Sequence, residues 1–442
     1  MRIAIIGSGI SGLVSARLLS YEHDVVVFEG DDRIGGHTNT VAAHWAGETW
    51  PIDAGFIVYN ERTYPNFTRI LADLQVATAP TTMSFSVRCD QTGLEYNGGS
   101  LNGVFAQRWN LLRPQFLRMM ADILRFNREG ERDLTSVPAE QTVGEYLAEK
   151  GYSPQFGEKY LLPMGAAIWS CPLGDFAQFP IRFILEFYVN HGLLSLTDRP
   201  TWRVIEGGSQ QYVDRLAAPF RSQIRLNCPV QSVRRSSEDV LVIHAAGSER
   251  FDEVVFACHA DQALKMLADP DDVEREMLSA FPYYASKACL HTDESVLPRS
   301  RRAWAAWNYH IPAHDATRPT LTYNMNILQH IDSRHTYCVT LNEEESIDPA
   351  KVIARFNYSH PLFTTRRAEV QHRHQELIRH RHTSYCGAYW RNGFHEDGVI
   401  SALAVCRRFA IGDWSLGPRR PYVLDAAKES RHAETSLAGE HA

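Results

Sequence analysis

The chain has 442 residues, 44% of them hydrophobic, which is enough apolar material for two domains with buried cores. Its formal net charge of -7 excludes the overall basic field that nucleic acid would require of a partner. The eight cysteines are scattered without a C-x-x-C pair, which argues against a zinc knuckle or a dithiol redox site.

The first thirty residues predict a βαβ unit: an apolar strand over Ile3–Ile6, a helix over Ser11–Ser20 and a second strand over Val25–Phe28. Between the first strand and the helix stands Gly7-Ser8-Gly9-Ile10-Ser11-Gly12, a G-x-G-x-x-G fingerprint in the context that gives it meaning. Gly7 permits the tight turn, Gly9 lets the backbone approach a pyrophosphate, and Gly12 lets the helix pack on the strand. The helix start offers free N–H groups and a partial positive charge to phosphates. Glu29 closes the second strand 22 residues after Gly7, where its carboxylate can accept hydrogen bonds from an adenosine ribose.

Farther along, Trp109 to Arg128 predicts an amphipathic helix. Trp109, Leu112, Phe116, Met119, Met120, Ile123 and Phe126 fall on one face, and Arg113, Arg118, Arg125 and Arg128 on the other. Val230–Val233 and Val240–Ile243 flank a polar turn as a hairpin, Asp252–Cys258 follows as a buried strand, and the aromatic stretch Trp304–Leu328 reads as sheet. His372, His374, His380 and His382 are interleaved with Arg366, Arg367, Arg373, Arg379 and Arg381 in what reads as a solvated basic helix. Helical spacing spreads those imidazoles apart and cationic neighbours oppose a metal, so no metal site is expected. The polar stretch after about Asp425 reads as a frayed tail. No apolar run approaches the ~18 residues of a membrane span and the first residues do not read as a signal peptide. The expectation is a cytoplasmic protein with reduced thiols.

Arg33-Ile34-Gly35-Gly36-His37-Thr38 resembles the R-x-G-G motif of the flavin amine oxidase and phytoene desaturase superfamily, with His37 where that family commonly has arginine. Asp53-Ala54-Gly55 resembles its downstream D-x-G element, and Glu206-Gly207-Gly208-Ser209 its glycine pair ahead of the adenine-contacting strand that starts at Val230. Gly387 followed by Gly393 to Ser401 resembles its closing flavin motif, with an acidic pair, Glu396-Asp397, where one acid is common. The phrases GAYWRNGFHEDG and TYNMNILQ resemble more narrowly a bacterial amine oxidase-like subgroup related to the N-terminal part of plant cyclopropane fatty acid synthases.

The resemblance implies one FAD, and the lack of a second glycine fingerprint implies no NAD(P)H domain. It implies an α/β fold: a Rossmann-like FAD-binding domain of the amine oxidase and glutathione reductase type, with an inserted α+β substrate domain. The FAD domain would be discontinuous, from residues 1–80, 200–262 and 384–412. The substrate domain would take 81–199 and 263–383, and 425–442 would be a flexible tail. The implied FAD contacts are Gly7, Gly9, Ser11, Gly12, Glu29, Arg33, Gly35, Gly36, His37, Thr38, Gly55, Val230, Gly387, Glu396, Asp397, Gly398 and Val399.

A flavin needs a carbon–hydrogen bond presented to it and little acid–base help. Amine oxidases place a lysine of a substrate-domain strand near the flavin, and Ser286-Lys287-Ala288 occupies the corresponding stretch; a solvated strand lysine is the alternative reading of Lys287. His395 is the second candidate, to polarise a substrate or touch the flavin, and Tyr389, Trp390 and Phe394 are candidate walls of the substrate side. Three functions stay open: hydride removal from a lipid acyl chain, oxidation of a small amine, and a flavin-carrying subunit of a lipid-modifying system. The expected partner is a small-molecule or lipid substrate and not nucleic acid. The arginine-faced helix adds peripheral contact with a membrane surface as a reading, beside that of a solvated cover for the substrate tunnel.

Overall fold

The computed structural model describes residues 1–169, 171–195, 199–313, 320–342, 346–362 and 364–411. The expected tail after about Asp425 lies outside them. Short β-branched runs form a five-stranded parallel sheet in the order Ile224–Arg225, Asp24–Phe28, Arg2–Ile6, Glu253–Phe256 and Thr383–Tyr385. A parallel sheet is covered on both faces, so its strands carry continuous apolar sequence, as Ile3, Ile5, Val25, Val27, Val254 and Val255 do at 0% exposure.

The helix Ile10–Leu19 covers one face and has nine of its ten residues buried, because it is also packed against the last helix, His395–Arg407, and against Gln210–Ala217. That double packing is why its sequence is apolar all round instead of amphipathic. The predicted hairpin is present as Val230–Arg235 and Val240–His244, extended by Gly247–Phe251 into a three-stranded antiparallel sheet.

A second, seven-stranded sheet runs Val352–Pro361, Tyr283–His291, Cys338–Leu341, Thr320–Asn324, Trp307–Ile311, Phe85–Cys89 and Leu94–Asn97. Its neighbours are antiparallel except the pair Trp307–Ile311 and Phe85–Cys89. A separate aromatic core lies between this sheet and the helices that contain Phe116, Phe156 and Phe187. A parallel dinucleotide sheet joined to a mixed sheet with its own helices bears out the α/β fold with an α+β insertion.

Two expected helices differ. The Trp109–Arg128 helix is broken: Arg108–Leu112 forms a 3₁₀ turn, and a regular helix starts only at Pro114 and runs to Asp133. Arg113 is extended (φ -96°, ψ 107°), as the Cδ of a following proline demands. The expected basic helix stops at Gln371. Beyond it Arg379, Arg381 and His382 adopt positive φ, and Arg379 pairs with Glu253 while Arg381 pairs with Asp269. The chain has to turn there because Thr383–Tyr385 enters the parallel sheet beside Glu253–Phe256. Among the described residues no group of histidines, cysteines or acids is arranged to hold a metal, and no helix is long and apolar enough to cross a membrane.

Candidate dinucleotide and substrate site

The site lies at the carboxyl ends of the parallel strands. Gly7 turns at φ 104°, and a Cβ on it would stand 2.7 Å from the Ala257 carbonyl oxygen. On Gly12 a Cβ would stand 2.0 Å from the Gly7 carbonyl oxygen, so helix and turn are in backbone contact. Gly9 differs: nothing lies within 4 Å of the Cβ it lacks. The helix Ile10–Leu19 begins there with no side chain capping it, which leaves its first amides directed at that open space.

Glu29 accepts hydrogen bonds from the Ser8 amide at 2.9 Å and the Asp31 amide at 3.0 Å, so its carboxylate is fixed beside the turn. Gly36 crosses over the turn so closely that its Cβ would lie 3.0 Å from the Gly9 Cα. Arg33 holds that crossing: its guanidinium donates to the carbonyls of Gly36 (2.8 Å) and Thr38 (2.9 Å). Gly55 closes from the far side, where a Cβ would be 2.0 Å from the His37 carbonyl oxygen.

The last helix completes the enclosure. Gly398 packs on the start of the first helix, and a Cβ there would lie 2.8 Å from Ile10 and 2.9 Å from the Ser11 hydroxyl. Val399 is fully buried in that contact, and the Gly387 amide donates to Ser401 at 2.9 Å. Two helix N-termini therefore meet beside the Gly9 opening, an arrangement that favours anionic groups. Val230 starts its strand opposite His244.

Three predicted residues have other duties. His395 stacks on Phe56 with centroids 3.6 Å apart, and its Nε2 lies 2.7 Å from the Tyr212 hydroxyl and 3.1 Å from Thr38 Oγ1. Burial brings its pKa down to about 3, so it is a neutral imidazole clamping the Thr38 loop. Glu396 accepts from the amides of Asn66 and Phe67 and so caps the helix Pro65–Asp73. Asp397 caps its own helix through the Phe394 amide at 2.8 Å.

Burial pushes Glu396 up to about 7 and Asp397 to about 6. A carboxyl that holds its proton more tightly in the folded state contributes stability below its unfolded value of about 4.5 and loses it as pH rises through about 7. Glu396→Gln, which mimics the protonated form, is expected to flatten the dependence of melting temperature on pH between about 5 and 7 relative to the parent. An unchanged profile would remove Glu396 as its source.

The structure turns Lys287 away from the site. It is exposed on the strand Tyr283–His291, whereas its neighbour Ser286 is 1% exposed. Ser286 pairs across the strands with Tyr358, and directly opposed residues share a face. Tyr358 is the residue that reaches the dinucleotide loops, accepting from Asn39 at 3.0 Å and stacking on His37 at 5.2 Å. Lys287 therefore occupies the outer face.

His37 reveals a feature with no sequence signal. It lies 5.3 Å from His360 and 6.2 Å from His259, ring to ring, and His259 stacks on Tyr283. Burial, then the charges of His360 and His259, hold the His37 pKa well below the usual imidazole value.

Of the three closing-motif aromatics, Tyr389 and Trp390 pack backward onto Phe281, and Trp390 also stacks on His374. Phe394 instead faces the aromatic core of the seven-stranded sheet, 5.1 Å from Phe187, with Trp169 and His191 beside it.

The sequence profile of the flavin-containing amine oxidoreductase family matches residues 10–311, and the chain belongs to that family. AofH of Mycobacterium tuberculosis, named as a flavin-containing monoamine oxidase, is 23% identical over 284 residues, 61% of this chain and 59% of the relative. Flavin-containing amine oxidase A of Sus scrofa is 24% identical over 257 residues, 54% of this chain and 46% of that one. The chain thus matches well under two thirds of the length of these curated relatives.

Among solved structures, putrescine oxidase bound to putrescine superposes with a TM-score of 0.64 at 14% identity, covering 93% of this chain and 99% of that one. A fatty acid isomerase of P. acnes that produces CLA gives 0.65 at 16%, covering 92% and 98%. At such identities the likeness is one of fold. The cofactor of this family is FAD, and the open Gly9, the crossing Gly36 and the paired helix starts fit a dinucleotide.

Proposed function

We propose that the protein is an FAD-dependent oxidoreductase that removes a hydride from a carbon of a lipid acyl chain. The observation that carries the substrate class is the arrangement of the closing-motif aromatics. A substrate ammonium is held by ring faces on more than one side or by a carboxylate. Here Tyr389 and Trp390 are committed to the core, and Phe394 stacks on Phe187, which stacks in turn on His191, so these rings turn their faces to one another. Burial lowers the His191 pKa to about 4, so this wall is uncharged at neutral pH and suits methylene groups.

Gly9, Gly36 and the two helix starts would hold the pyrophosphate, and Glu29 the ribose. FAD, when bound, supplies the two-electron acceptor. The chain's own contribution is to orient the substrate against Phe394; hydride loss from one carbon and proton loss from its neighbour would leave a carbon–carbon double bond, the proton passing to water at the mouth of the site. A small amine is the second reading, favoured by the names of the sequence relatives. The fold itself does not choose, since it is similar to both an amine oxidase and a fatty acid isomerase.

The test is anaerobic reduction of the flavin by extracted phospholipids and fatty acids set against a panel of amines. Bleaching by lipids is expected. Bleaching by amines alone would overturn the acyl reading, and bleaching by neither would make the protein a flavin-carrying subunit.

A further inference from the structure

The surface carries a feature that the dinucleotide site does not use. Among the described residues the exposed large apolar side chains are Met1, Tyr21, Leu101, Trp109, Leu111, Leu112, Leu117 and Leu124, so six of eight fall between residues 101 and 124. Single exposed leucines are ordinary, but a gathered set marks a surface that meets something apolar.

Local geometry explains the gathering. The break before Pro114 rotates the 3₁₀ turn Arg108–Leu112 out of the helix's register, leaving Leu112 86% exposed and Trp109 51% exposed. Leu117 and Leu124 are seven residues apart, two turns of the same stripe, and they continue the apolar surface along the helix Pro114–Asp133.

The same stretch is cationic. Arg108, Arg113, Arg118, Arg125 and Arg128 lie between residues 101 and 128, against the single acid Asp122. Asp122 is buried, faces Arg118 and accepts from the Ser153 amide. Arg113 lies over the Trp109 ring at 3.6 Å, and the Arg118 and Arg128 side chains are 59% and 77% exposed. The next acid of this helix, Glu129, pairs with Arg125 and Arg128, which leaves Arg108, Arg113 and Arg118 as the cations nearest the apolar set. On the inner side of the helix, Phe116, Met119 and Phe126 belong to the aromatic core that also holds Phe187 and meets Phe394.

We propose that residues 101–128 are a docking face for an anionic lipid surface: Trp109, Leu111, Leu112, Leu117 and Leu124 enter the boundary of the acyl chains, and the arginines contact the headgroup phosphates. Charge complementarity selects this occupant. A second copy of the same face would bring its arginines against their equals, whereas an anionic bilayer offers negative charge and hydrocarbon together. The inference goes beyond the substrate reading and holds for an amine substrate as well.

The experiment is vesicle flotation of the flavin-loaded full chain with phosphatidylcholine vesicles, with and without phosphatidylglycerol. Binding is expected to require phosphatidylglycerol and to weaken as salt is raised from about 0.1 M to about 0.5 M. The double variant Trp109→Glu and Leu112→Glu is expected to lower binding by about tenfold or more while visible flavin absorbance stays at the parent level, since both side chains are exposed. Arg128→Glu should lower it less. Equal binding with and without the anionic lipid, or by the double variant, would overturn the proposal. A dimer in sedimentation that the double variant dissociates, with no flotation by either protein, would also overturn it and assign the face to self-association.

Discussion

Gly9→Val is expected to give a folded protein that carries no flavin, while Gly12→Val is expected to lose fold and flavin together. The two positions belong to one motif, yet their surroundings are opposite. Gly9 has nothing within 4 Å of its absent Cβ, and its φ of -68° with ψ of -178° is open to any residue. A valine there would project into the space proposed for the pyrophosphate and is expected to weaken FAD binding by about a hundredfold or more, since backbone and phosphate would meet there. At Gly12 the obstruction is the Gly7 backbone at 2.0 Å, which no rotamer relieves. The cost should exceed the ~1–3 kcal/mol of ordinary overpacking, because both partners are main chain. Visible flavin absorbance and thermal melts of the purified variants separate the two results. A Gly9→Val protein with full flavin content would overturn the placement of the pyrophosphate.

Glu274→Ala should be among the most damaging substitutions far from the cofactor. The Glu274 and Arg235 side chains are 0% and 1% exposed, and they meet in a two-pronged pair completed by the Tyr385 hydroxyl at 2.8 Å. Arg235 also donates to Thr383 and Asp269. One carboxylate thus ties the three-stranded sheet, the helix Asp272–Leu278 and the last strand of the parallel sheet.

Burial alone would raise the Glu274 pKa, but the hydrogen bonds from Arg235 and the Asp271 amide outweigh it and hold the carboxyl below its usual range. The pair therefore stabilises the protein above about pH 4.5 and loses that contribution as pH falls through the depressed folded value. Removing the acid leaves the buried guanidinium with only the part-exposed Asp269 to balance it, a loss of about 3–5 kcal/mol in chemical denaturation. Arg235→Met combined with Glu274→Leu should recover much of it, because the apolar pair leaves no orphaned charge. A loss below about 1 kcal/mol for Glu274→Ala would show that the pair is not a stabilising tie.

The dinucleotide half was legible because its chemistry is local. Gly7, Gly12 and Gly36 sit within a few residues of the strand and helix they serve, and the backbone dictates glycine at each. Lys287 was harder, since a strand alternates and the face of each residue depends on a register that the partner strand sets. The pairing of Ser286 with Tyr358 settles it, and no local pattern announces that pairing.

The histidines His37, His259 and His360 come from three distant segments and meet only through the fold. Glu396 and Asp397 are expected from the resemblance as FAD contacts, but the donors that hold Glu396 belong to Asn66 and Phe67, far away in sequence. The broken arginine helix was within reach. Pro114 restrains its predecessor, and amphipathic spacing alone hides that restraint because it runs smoothly through the break.

The parallel sheet draws its first strand from Arg2–Ile6 and its last from Thr383–Tyr385, and the helix that buries Ile10 and Ser11 ends at Arg407. At ~5–20 residues per second, a ribosome spends about 20–80 s between making the glycine turn and making the helix that shuts it. Through the later part of that interval the helix Ile10–Leu19 lacks its last cover and the strand Glu253–Phe256 its outer partner. FAD capture is therefore expected only after the helix His395–Arg407 has been made.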